Sequence, residues 1–90
     1  MILPSQVKIG AHTIQVRYVD TIEEAGSADW DSGTILINSQ MPQTLQESTL
    51  LHEMMHFMNS TLDHELLDSL AEQIYYALKE NNLLNENSSV

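Results

Sequence analysis

The chain has 90 residues, 42% of them apolar and 18% charged, which suits one small core and is too apolar for a disordered acidic tail. Three basic side chains stand against thirteen acidic ones, and the resulting charge of −10 argues against nucleic acid or an anionic membrane as a direct partner. With no cysteine, disulfides, thiolate metal sites, cysteine nucleophiles and iron–sulfur clusters are excluded. No apolar run approaches the ~20 residues of a membrane helix, and residues 1–10 lack a signal-peptide pattern. A single cytoplasmic domain over residues 1–90 is therefore expected.

Residues 6–9 and 13–19 alternate apolar with polar side chains, with Ile14 and Val16 set against Gln15 and Arg17. That period predicts two strands joined by a tight turn at Gly10-Ala11. Residues 20–33 are rich in Glu, Asp, Ser and Gly and read as a connection. One helical turn is expected near 22–25, and a turn at Asp31-Ser32-Gly33 leads into a third strand over 34–38. From Pro42 the period becomes helical. Leu45, Thr49, His52, Met55, His56 and Asn59 predict a helix over 43–59 with Pro42 at its first position. Asp63 is a good N-cap for a second helix to about Lys79, with Leu66, Leu67, Leu70, Ala71, Ile74 and Leu78 on one stripe. Residues 82–90 are polar and read as a frayed, flexible tail. The expected fold class is α+β, a three-stranded, mostly antiparallel sheet with both helices on one face.

His52-Glu53-Met54-Met55-His56 is an H-E-x-x-H sequence inside the first helix, the context this motif needs. Histidines four apart stand above one another on one face and can share a metal ion. Glu53 is turned off that axis, close enough to reach a water on the metal without being a ligand. Zinc lowers the pKa of such a water from ~15.7 towards ~7, and a carboxylate beside it can take the proton and pass it to a leaving amine. Glu53 is the candidate catalytic base, and His52 and His56 are candidate Zn2+ ligands.

A catalytic zinc has three protein ligands and one open position. On the second helix, His64 and Asp68 lie at the border of the apolar stripe, while Glu65 and Glu72 point further into solvent. His64 is favoured as the third ligand, with Asp68 behind it as a hydrogen-bond acceptor for a ligand histidine. Glu65 and Glu72 stay open as alternatives. Tyr75, Tyr76 and His12 are candidates for stabilising an oxyanion, each also readable as packing. Met54, Met55 and Met58 read as core filling or, in the minority, as a groove lining. Residues 47–72 hold six carboxylates and no Lys or Arg, which reads as a solvated face or as a preference for basic ligands.

At the motif the sequence resembles a zincin metallopeptidase of the gluzincin type. It is most similar to small phage and prophage proteins related to the ImmA/IrrE-type peptidases. The resemblance implies a small zincin-like domain with an active-site helix and a C-terminal helix, a peptide or protein substrate, zinc on His52 and His56, and Glu53 as general base. It also implies a third ligand, a glutamate in the family, several residues before a Leu-Ala pair. Counted back from Leu70-Ala71, that place holds His64, with Glu65 next to it. Edge pairing of an extended peptide along 34–38 is a further implication. Two other readings stand beside a peptidase: a relative that keeps zinc without catalysis and binds a partner, and an acidic decoy of a nucleic-acid-binding protein.

Overall fold

The computed structural model describes residues 2–61 and 63–84. In chain order it has β1 (Gln6–Ile9), β2 (His12–Val19), β3 (Gly26–Asp29), β4 (Thr34–Asn38), α1 (Gln43–Met58) and α2 (His64–Glu80). The class is α+β as expected, but the sheet has four strands, in the order β1-β2-β4-β3. β1 and β3 pair antiparallel with their neighbours, and β2 pairs parallel with β4.

The added strand is Gly-Ser-Ala-Asp, without a β-branched or aromatic residue, so propensity gives no sign of it. Pairing makes it a strand: Gly26 lies opposite Ile37 and Ala28 opposite Ile35 on β4. The turn at Asp31-Ser32-Gly33 therefore closes a β3–β4 hairpin, with Gly33 at φ 63° and the Asp29 carboxylate accepting from the Asp31 N–H. No helical turn forms at 22–25. The buried Asn38 side chain instead donates to the Ile22 and Glu24 carbonyls and pins that loop. The first hairpin is as expected. Ile9 pairs with His12 around Gly10-Ala11, and Gly10 takes the positive φ of 62° that such a two-residue turn requires.

Ile14, Val16, Ile35 and Ile37 from the sheet and Leu50 and Phe57 from α1 form the core. Burying each such side chain stabilises the fold by about 1.5–3 kcal/mol. Pro42 is the N-cap of α1 rather than its first turn, and its carbonyl accepts from the N–H groups of Leu45 and Gln46. Among the described elements only α1 packs on the sheet; α2 packs on α1, forming a third layer.

That layering corrects the stripe read for α2. Leu67, Ala71 and Tyr75 are buried, while Leu66, Leu70 and Ile74 are exposed. With one neighbour, a helix can bury only one narrow face, and here that face is turned towards His64 and Asp68. The Tyr75 hydroxyl donates to the buried Glu47 carboxylate at 2.6 Å, and Gln43 holds the other oxygen of Glu47. Asp63 caps α2 through the Leu66 N–H. At the far end Asn82 takes φ 60°, and Leu83 donates to the Leu78 carbonyl, closing the helix with a Schellman motif. Residues 81–84 thus form turns after α2, tied back to its last turn through the Asn82 and Leu83 N–H groups; the rest of the expected tail, residues 85–90, lies outside the described residues.

Candidate metal centre

α1 and α2 face each other across a seam that carries all three motif residues and two more titratable groups. His52 and His56, one turn apart on α1, meet His64 from the first turn of α2. One ring nitrogen from each lies within 4.8 Å of the others. The Nε2 atoms of His52 and His56 are 3.1 Å apart. Four ligands set tetrahedrally about zinc at its usual Zn–N length stand about 3.3 Å apart, so this donor set fits such an ion. Asp68, one turn along α2 from His64, places Oδ1 2.7 Å from His52 Nδ1 and Oδ2 3.7 Å from His64 Nε2. The short contact keeps a proton on Nδ1 of His52 and leaves its Nε2 lone pair aimed at the cluster.

Burial pulls the His52 imidazolium below the ordinary histidine range, partly opposed by the Asp68 carboxylate. Burial lowers His56 as well. Both rings are held in the neutral, metal-binding form. Glu53 is only 6% exposed, and burial pushes its carboxyl up to about 7.

β3 runs close beside this helix face. A Cβ on Gly26 would stand 2.6 Å from Thr49 Cγ2, 2.9 Å from the Leu36 carbonyl and 3.5 Å from Glu53 Cγ. Only glycine allows the strand to approach so near the carboxyl-bearing turn. Sequence reasoning missed Gly26 because it missed the strand. Between β3, α1 and α2 opens a cavity of about 600 Å³. His52, Glu53, His56, His64 and Asp68 all border it.

Residues 9–84 match the IrrE N-terminal-like domain, the family designated Peptidase_M78. The chain belongs to this family. It is an ImmA/IrrE-related, zincin-like metallopeptidase family, in agreement with the resemblance carried by the motif. No curated protein and no solved structure gave a significant match.

Set in this family, the remaining candidates separate by position. Glu65 is exposed and does not border the cavity; Glu72 borders it without joining the histidine cluster. Tyr76 borders the cavity, whereas Tyr75 is buried with its hydroxyl on Glu47, which removes it as an oxyanion group. His12 sits exposed on β2 and is not part of the cavity wall. Met54, Met55 and Met58 do not border it either. The edge-pairing expectation is corrected: β4 lies between β2 and β3, so its backbone is paired on both sides, and the open edge beside the cavity belongs to β3.

Proposed function

We propose that this protein is a zinc-dependent peptidase in which His52, His56 and His64 hold the metal and Glu53 is the general base. The observation that carries the reading is the convergence of three imidazoles from two helices on one cavity with Glu53 buried beside them. A bound zinc would supply Lewis acidity, polarising a carbonyl and making a water acidic enough to attack near neutral pH.

The chain's own residues supply the rest. Asp68 orients His52 by accepting its Nδ1 proton, which fixes the tautomer for binding. The Glu53 carboxylate takes a proton from the attacking water and returns it to the leaving amine nitrogen as the C–N bond breaks. The α1 wall and β3 exclude bulk water from that carboxyl. The outer edge of β3, unpaired among the described residues, offers main-chain groups to an extended peptide, and its end at Gly26 lies over Glu53.

The test compares Glu53→Gln with the parent for zinc content and for cleavage of a mixed peptide library followed by mass spectrometry. Equal zinc with loss of cleavage is the expected result. Cleavage that persists in Glu53→Gln overturns the base assignment, and a parent that takes up no zinc overturns the whole reading.

A further inference from the structure

We infer that the outer half of the cavity takes a lysine or arginine side chain of the substrate, with Glu24 and Glu72 as the groups that recognise it. The inference rests on the peptidase reading and names its substrate class. Besides the histidine cluster, the cavity is bordered by the 22–25 loop, the first turns of α1 and the middle of α2. Glu24 stands on one side and Glu72 on the other, both exposed side chains that border the cavity.

Glu24 is not on a loose loop. Its carbonyl and that of Ile22 accept from the buried Asn38 side chain, and the Ala25 carbonyl accepts from the Asn38 N–H. Glu72 is one helical turn from Asp68. Leu45, Ala71 and Tyr76 supply apolar surface to the same cavity. That arrangement suits a long side chain whose methylene stem lies on apolar atoms while its charged head reaches a carboxylate, with the Tyr76 ring available to the cation.

None of the chain's three basic residues meets this need from within. Lys8 is on β1 and Arg17 on β2, and Lys79 lies over the Tyr75 ring at 5.8 Å. None of them borders the cavity. A ligand that brings a positive side chain is favoured over an acidic one by every fixed charge on the outer walls.

Two capped amino-acid hydroxamates test this by titration calorimetry on the zinc-loaded protein, Nα-acetyl-arginine hydroxamate and Nα-acetyl-norleucine hydroxamate. Both carry the same metal-chelating group and differ in the charge at the end of the side chain. The arginine probe is expected to bind about tenfold more tightly, and added salt should narrow the gap. In a Glu24→Gln/Glu72→Gln variant the preference should shrink to less than about twofold. Equal affinities, or a preference that survives in the double variant, overturn the inference while leaving the metal site standing. If neither hydroxamate binds, the metal-site reading falls and takes this inference with it.

Discussion

His52 Nδ1 and Asp68 Oδ1 meet at 2.7 Å across the α1–α2 seam, so the carboxylate that orients a motif histidine comes from the helix that also carries His64. Asp68→Asn should retain the fold, since the side chain is half-exposed, but lose the firm hold on the His52 tautomer. Zinc affinity should fall about 10–100-fold, read by competition against a chromophoric chelator. Unchanged affinity would remove Asp68 from the site.

His64→Ala deletes one of three converging imidazoles and should weaken zinc binding by at least about 100-fold in the same assay. Glu65→Gln should leave the affinity within about twofold, because Glu65 lies outside the cavity wall. The reverse ranking would transfer the third position to the glutamate.

Gly26→Ala forces a methyl into Thr49 Cγ2 and the Leu36 carbonyl. A destabilisation of about 1–3 kcal/mol is expected in urea unfolding. Thr49→Ser removes the nearer obstacle, so the double substitution should cost less than the sum of the singles. Strict additivity would mean that the strand edge moves freely instead.

Tyr75→Phe strips the buried Glu47 carboxylate of its 2.6 Å donor and should cost about 1–3 kcal/mol. Burial, then the Glu47 hydrogen bond and charge, push the Tyr75 phenol well above its ordinary value. The folded chain therefore holds this proton more tightly than the unfolded one. Its contribution is fully present below about pH 10 and is lost as pH rises beyond that. Chemical denaturation at several alkaline pH values should show the parent losing stability in that window and Tyr75→Phe losing less. Parallel profiles would contradict the assignment.

The parts legible in the sequence were those with a period. The H-E-x-x-H turn needs its residues one helical turn apart, and hairpin β1–β2 and strand β4 announce themselves by alternation. β3 was hidden because Gly26-Ser27-Ala28-Asp29 carries no local preference; β4 decides its conformation by pairing. With it went Gly26, the narrow approach to Glu53 and the true open edge of the sheet. The turn of α2 about its axis was hidden for another reason. Leu66, Leu70 and Ile74 outweigh Ala71 and Tyr75 on any hydropathy scale, yet the Tyr75–Glu47 hydrogen bond and the single neighbouring helix bury the second set.

That solitary neighbour has a thermodynamic corollary. The third layer grips the molecule through one seam, so it is the unit with least to lose by detaching and should show the fastest amide exchange of any long element. An ion clasped jointly by both coils would act as a rivet there. Loading would slow exchange in the outer coil far more than in the strands, and the protein's grip on its cofactor would double as the latch on its own last segment.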